Sequence, residues 1–247
     1  MTYTGDGTNN REIAHSLGST PGMIIIKRTD STGDWIVYHR SLTSATYVLN
    51  LNASYSAAAF GQAFSGTSPT SSVFTVGSNS AVNASGGTYV AYLFAHDAGG
   101  FGAAGTDSVV SCGSVTADSS GAATVNLGWE PQFVLFKSSS GAGSWRMLDT
   151  MRGFSYTNAL FLNANNSNAE SDNGATFQIT PTGFAALTGG FTANATHIYL
   201  AIRRGPMKTP TDATKVFKPV SVNGIATTGF PVDAMFWGIK GLSLIHI

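Results

Sequence analysis

The sequence predicts an all-β protein built from tandem antiparallel β-sandwich repeats of the jelly-roll or lectin-like kind. Three observations support this fold class. A long segment of the chain occurs twice. Short apolar segments alternate with clusters of Gly, Ser, Thr and Asn, at the spacing of about 8–12 residues that is typical of β-sandwiches. No segment shows the sustained 3.6-residue apolar period of an amphipathic helix.

The repeat is clearest in LGSTPGMIIIKRTDSTGDW and LGWEPQFVLFKSSSGAGSW, which begin at Leu17 and Leu127. Six residues match at a constant offset: Leu17/Leu127, Gly18/Gly128, Pro21/Pro131, Lys27/Lys137, Gly33/Gly143 and Trp35/Trp145. Weaker matches follow, including a Leu-Asn-Ala motif at 51–53 and again at 162–164. An internal repeat of this length sets the architecture, and we expect one sandwich over residues 1–98 and a second over 106–205.

Each copy contains several predicted strands. Met23–Lys27 and Phe133–Lys137 are apolar on both faces, as expected of central strands. Asp34–His39 alternates in the manner of a strand with two different faces. Further strands are predicted at Tyr47–Leu51, Val73–Val76 and Tyr89–Phe94.

A third copy is predicted to begin after the second and to stop early. Residues 216–241 repeat a Gly turn, an apolar strand and then Lys240. The last six residues, 242–247, read LSLIHI, which resembles the translation of a sequencing-library adaptor. We therefore expect residues 216–241 to be a truncated third repeat and 242–247 to be a non-native, adaptor-encoded tail.

The composition argues against several functional classes. Net charge is zero and only 11% of the 247 residues are charged, against about 25% in an ordinary domain, so nucleic-acid binding is not expected. Cys112 is the sole cysteine, which leaves no intrachain disulfide, and no apolar run is long enough for insertion into a membrane. No zinc cluster, catalytic triad or HExxH motif is present, so we expect no enzyme, metal or cofactor.

Eight residues are candidate contacts with a glycan or a partner protein. Trp35 and Trp145 occupy equivalent strand positions, and each is either a stacking platform for sugar rings or a core tryptophan. His39 and Asp149 stand at matching strand ends, with nothing to bring the pair together. The remaining candidates are Tyr38 and Arg152 and the basic pair Arg203 and Arg204, which Lys208 follows.

Two further patterns are weaker. Glu170 and Asp172 lie in an Asn-rich loop that either binds calcium or forms ordinary turns. The copies share Gly, Pro, Leu, Lys and Trp residues but not their acidic residues. Ser140 and Ser144 stand in the second copy at the positions that Asp30 and Asp34 occupy in the first. This pattern indicates that both copies retained the residues needed for folding, and not the residues of an active site.

Three segments of the second copy carry a family resemblance: SCGSVTADSSGAATVNLGWEPQFVLFK, SWRMLDTMRGF and YLAIRRGPMKTPTDATKVFKP. They resemble tandem-repeat virion structural proteins of tailed phages that are abundant in marine samples. DWIVYHRSL and GGTYVAYLFAH in the first copy resemble a related repeat of the same proteins. The resemblance brings a domain of unknown function without established catalytic residues.

The resemblance implies a tail- or fibre-associated component of the virion, made in the host cytoplasm. Its expected partners are further copies of itself and other virion proteins. A receptor- or glycan-binding module on the virion surface is the alternative. A polysaccharide depolymerase is a third hypothesis, and it would need two carboxylates held about 5–10 Å apart.

Overall fold

The computed structural model describes residues 1–205 apart from 103, 157, 158 and 173–175. Antiparallel strands dominate this part of the chain, and the all-β prediction is confirmed. The predicted third repeat (216–241), the predicted adaptor-encoded tail (242–247) and Lys208 lie outside the described residues.

The first half of the chain forms eight strands and two one-turn helices within its described residues. They are β1 (Thr2–Thr4), β2 (Arg11–Ala14), β3 (Pro21–Arg28), β4 (Trp35–His39), β5 (Tyr47–Asn50), β6 (Ala58–Ala59), α1 (Gly61–Phe64), β7 (Val73–Val76), α2 (Ser80–Asn83) and β8 (Thr88–Ala95).

The described residues of the second half form nine strands. They are β9 (Val110–Thr116), β10 (Ala123–Asn126), β11 (Pro131–Ser138), β12 (Arg146–Asp149), β13 (Leu160–Asn163), β14 (Ser171–Asp172), β15 (Phe177–Thr180), β16 (Gly183–Ala186) and β17 (Thr196–Arg203).

Each half contains one large and one small sheet. The first large sheet has the strand order β1-β8-β3-β4-β5-β6, and the second has the equivalent order β9-β17-β11-β12-β13-β14. The first small sheet pairs β2 with β7, and the second has the order β10-β16-β15. The two large sheets therefore have the same strand arrangement, whereas the second small sheet has the additional strand β15.

The registers of the two large sheets also agree. Ile25 lies opposite Val37 between β3 and β4, and Leu135 lies opposite Met147 between β11 and β12. The ladders of β3 with β8 and of β11 with β17 both shift register directly after the proline that begins the strand. Proline has no N–H to donate to the ladder, which accounts for an irregularity at this point in both halves.

The ladders correct one detail of the sequence match. The N–H of Leu51 donates to the Trp35 carbonyl at 2.9 Å, whereas the N–H of Ala164 donates to the Trp145 carbonyl at 3.1 Å. The structural equivalent of Leu51 is therefore Ala164, and not the Leu162 of the shared Leu-Asn-Ala motif. A shift of two residues keeps every side chain on the same face of a strand, so the apolar pattern does not detect it.

Alternation along the central strands gives each large sheet two buried faces. One face of the first large sheet packs on the first small sheet, through Ile24, Ile26, Ile36, Phe74 and Val76 among others. The second half repeats this arrangement with Val134, Phe136, Leu148, Phe177 and Phe184.

The opposite faces of the two large sheets pack against each other. This central core contains Met23, Ile25, Val37 and Leu49 from the first half and Cys112, Leu135, Trp145, Ile198 and Leu200 from the second. The layer order is therefore small, large, large and small sheet. It explains why β3 and β11 are apolar on both faces, since neither strand has a side that meets water.

The two matched lysines stabilise the turn that follows the central strand. The Nζ atom of Lys27 donates to the carbonyl of the next residue at 2.6 Å and to the carbonyl four residues on at 3.4 Å. Lys137 makes the same two contacts at 2.7 and 3.2 Å. Lys137 is completely buried, and this burial lowers its pKa from 10.5 to about 8.

Replacing the buried lysine should cost more stability than replacing its half-exposed equivalent. We expect Lys137→Ala to lower the free energy of unfolding by about 2–3 kcal/mol and Lys27→Ala by about 1 kcal/mol, because unpaired carbonyls are costly where water cannot replace the donor. Urea denaturation of both variants measures the difference. Equal losses, or a larger loss for Lys27→Ala, would contradict this assignment.

Gly22 permits close approach of the two halves. A Cβ atom at this position would lie 2.7 Å from the Cβ of Cys112 and 2.8 Å from the Cβ of His96. The equivalent position in the second half is Gln132, which is exposed to solvent. Glycine is therefore required only in the first half, where β3 packs against β9.

Gly22→Ala should force the two halves apart locally, and we expect a loss of about 1–3 kcal/mol in stability. Gly33→Ala is the matched control, because a Cβ there meets no atom within 4 Å and the backbone φ is not positive. Its effect should stay within about 0.5 kcal/mol. Thermal unfolding of the two variants makes the comparison, and a Gly22→Ala protein as stable as the control would be inconsistent with close packing here.

Candidate interaction site

The eight residues selected from the sequence do not converge on one site. Three of them are buried, four form ion pairs at the surface, and Trp35 belongs to a partly exposed aromatic pair. Each group is positioned by a different part of the fold.

Tyr38 and Trp145 are core residues. The Tyr38 ring lies 5.5 Å from that of Phe64 in the core of the first half. Trp145 is 1% exposed, and its Nε1 donates to the carbonyl of Asn50 across the central core at 2.9 Å. The structure thus corrects their selection as contact residues, because neither ring offers an open face to a sugar or a partner.

His39 is also buried, and it connects the two halves. Its Nδ1 accepts the N–H of Ser41 at 3.1 Å, which leaves Nε2 to donate to the carbonyl of Tyr199 at 3.0 Å. Burial lowers the pKa of His39 to about 4, with a smaller contribution from the nearby Arg40 cation, while the hydrogen bond to Tyr199 works in the opposite direction. His39 is therefore a neutral structural bridge, and this corrects its selection as a contact residue.

Asp149 has a different role at the equivalent strand end. Its Oδ2 atom lies 2.7 Å from Nε of Arg152, and its Oδ1 accepts the backbone N–H of the same residue at 2.9 Å. Arg152 also reaches Glu170 at 3.4 Å. These contacts hold the turn after β12.

The basic pair at the end of β17 is neutralised by acids of the same half. Arg203 lies 3.1 Å from Asp107, and Arg204 lies 2.6 Å from Glu130. Exposed ion pairs of this kind contribute about 0–1 kcal/mol. The two arginines consequently present no unbalanced positive patch in the described part of the chain.

Trp35 retains a partly open aromatic surface. Its ring centroid lies 6.4 Å from that of Tyr92, with 22° between the planes. Tyr92 is 47% exposed. In the ladders, Trp35 lies opposite Lys27 and Tyr92 lies opposite Ile25. Both rings therefore project from the face of the first large sheet that packs against the second large sheet.

Sequence reasoning missed Tyr92, although a signal for it was present. Tyr92 alternates with residues of the opposite face within the predicted strand Tyr89–Phe94. Only the register between β3 and β8 brings it beside Trp35. The two rings form an adjacent pair that suits stacking on a sugar ring or on a partner's apolar surface.

The described residues contain no group of three or more His, Cys, Asp or Glu side chains arranged to hold a metal ion. Within the same residues, no helix has the length and apolar character needed to span a membrane.

A protein-family model described as a domain of unknown function, DUF7483, matches residues 1–206. The chain belongs to this family. No curated protein and no solved structure matches it. The DUF7483 match spans both halves, and the described residues of both halves likewise belong to one compact unit in the structure.

Two buried histidines predict acid sensitivity of the DUF7483 domain. His197 is 3% exposed, and burial lowers its pKa to about 4, as it does for His39. Between pH 6.5 and 4 the unfolded chain therefore binds protons that the folded chain refuses. The free energy of unfolding should fall as the pH is lowered through this window, by up to about 3 kcal/mol per histidine, and these two groups should contribute no slope above pH 6.5.

His39→Gln tests this prediction, because glutamine still donates to the Tyr199 carbonyl but does not titrate. Urea denaturation across this pH window should give a shallower loss of stability for the variant than for the native chain. The same slope in both proteins would show that His39 is not one of the titrating groups.

Proposed function

We propose that the protein is a structural component of a phage particle, tail- or fibre-associated, that acts through protein–protein packing of its β units. The observation that supports this most directly is the role of the residues shared by the two halves. The shared prolines begin the central strands, and the shared lysines hold the turns after them.

The shared tryptophans also serve packing, because Trp145 lies in the central core and Trp35 packs against it. The backbone N–H of Trp35 donates to the Asn52 side chain at 2.9 Å, and that of Trp145 donates to the Asn165 side chain at 2.8 Å. The duplicated features thus serve folding, as expected of a structural protein that packs through repeated β units.

The surface is compatible with association between copies and with other virion proteins. Net charge is zero, so no long-range repulsion opposes the approach of a second copy. Met151 is 95% exposed and Tyr156 is 66% exposed. Large apolar side chains in such positions gain stability when a partner covers them.

A receptor- or glycan-binding module on the virion surface is the second candidate. The Trp35–Tyr92 pair favours it, because Tyr92 is exposed and the neighbouring Trp35 ring is only partly buried. This function is compatible with the first, since a module at the particle surface can both assemble and bind.

Assembly can be tested on the purified full chain by light scattering coupled to gel filtration. We expect the mass of an oligomer of two or more 25.6 kDa chains. If the particle component is fibre-like, we expect a trimer. A monomer at every concentration would count against packing as the function.

The location is tested separately by mass spectrometry of phage particles purified on a density gradient from a sample that carries the gene. Peptides of this chain should band with the particles and their tail proteins. Detection of the peptides only in the cellular fraction would contradict the virion assignment.

A further inference from the structure

An open cleft of about 450 Å³ lies in the first half of the chain. Its floor is formed by Ile36 and Val48, which belong to the core between the first large and first small sheets. The turn after β3 forms one wall, and the segment that leads from β5 through β6 forms another. The volume falls within the range of about 300–1,000 Å³ that is usual for small-ligand sites.

The charged side chains of the cleft are held in fixed positions. Arg28 contacts Asp30 through two nitrogens and two oxygens, at 2.8 and 3.1 Å. Asp34 accepts amide N–H groups on both carboxylate oxygens, from Asn52 at 2.8 Å and from Asn50 at 3.2 Å. Neutral amides orient this carboxylate while leaving its negative charge in place, and further lone pairs remain for a ligand.

Aromatic rings lie at the rim of the same cleft. Tyr55 is 76% exposed and Phe60 is 36% exposed, and both line the cavity. A large exposed ring next to fixed hydrogen-bonding groups is the combination that binds a ligand with one apolar face and several hydroxyl groups.

The charge of the lining selects among such ligands. Arg28 and Asp34 are the charged residues that line the cleft, and Arg28 is already paired with Asp30. An anionic ligand would therefore be repelled by the Asp34 carboxylate. An uncharged polyhydroxylated ring avoids this repulsion and can donate its hydroxyl hydrogens to the carboxylate.

We infer that this cleft binds one neutral pyranose residue of a glycan, with Tyr55 stacked on the ring and with Asp34 and Asn50 hydrogen-bonded to its hydroxyl groups. The inference rests on the glycan-binding candidate function and is independent of particle assembly.

The second half of the chain provides an internal comparison. β5 and β6 pair as β13 and β14 do, with the same loop length between them. The residues at the positions of Arg28, Asp34 and Tyr55 are Ser138, Ser144 and Asn168. The same scaffold therefore folds without the charged and aromatic side chains of the cleft, which separates their role from folding.

A ¹H–¹⁵N NMR titration of the full chain tests the inference, with glucose, galactose, mannose and N-acetylglucosamine as probes at millimolar concentrations. At least one neutral sugar should shift the side-chain amide signals of Asn50 and Asn52 in a saturable manner. Sialic acid and glucuronate should bind more weakly, because each carries a carboxylate toward Asp34.

Two substitutions should lower the affinity at least about tenfold, which corresponds to about 1.4 kcal/mol. They are Tyr55→Ala and Asp34→Ser, and the serine copies the second half. Leu187→Ala removes an exposed apolar side chain from the second half and should leave binding unchanged. Thermal unfolding verifies that each variant is folded. If Asp34→Ser does not fold, Tyr55→Ala alone decides whether the cleft binds the sugar.

The cleft assignment is overturned if no neutral sugar shifts Asn50 or Asn52, or if Tyr55→Ala binds as tightly as the native chain. Shifts confined to Trp35 and Tyr92 would also overturn it, while leaving glycan binding at the aromatic pair. Light scattering of Tyr55→Ala should give the same oligomer as the native chain, so a failure of the cleft and a failure of assembly are separate results.

Discussion

The contact between the two large sheets is the constraint on which the rest of the structure depends. Each large sheet buries one face against a small sheet and the opposite face against the other large sheet. The central core therefore belongs to neither half alone. Without this contact, apolar side chains such as Ile25 and Leu135 would meet water on what is now an internal face. Burial of apolar surface is the main driving force of folding, and this surface is buried only when both halves are present.

The shared core also explains why equivalent residues differ between the halves. Trp145 is covered by the first half and donates to Asn50, whereas Trp35 remains partly exposed beside Tyr92. His39 bridges to the second half, while its counterpart Asp149 forms a surface turn. The large sheets of the two halves have one topology, but each packs against a different surface. Equivalent residues therefore need not have the same surroundings.

The residues that hold the scaffold differ from the residues that line the cleft. The shared lysines, prolines and tryptophans hold the scaffold in both halves. The first half alone has Arg28, Asp34 and Tyr55 around its cleft. Loops tolerate such changes because they contribute little to the core, so the side chains around the cleft can differ between the halves while the scaffold stays the same.

The sequence by itself determined the all-β class and the central strands, and its shared motifs indicated which positions of the two large sheets correspond. Alternation and the spacing of turn residues encode these features locally. It did not determine the equivalence of Leu51 with Ala164, the burial of His39, or the pairing of Trp35 with Tyr92. Those depend on strand register and on which faces meet, and both are decided by packing between segments far apart in the chain, which no local pattern records.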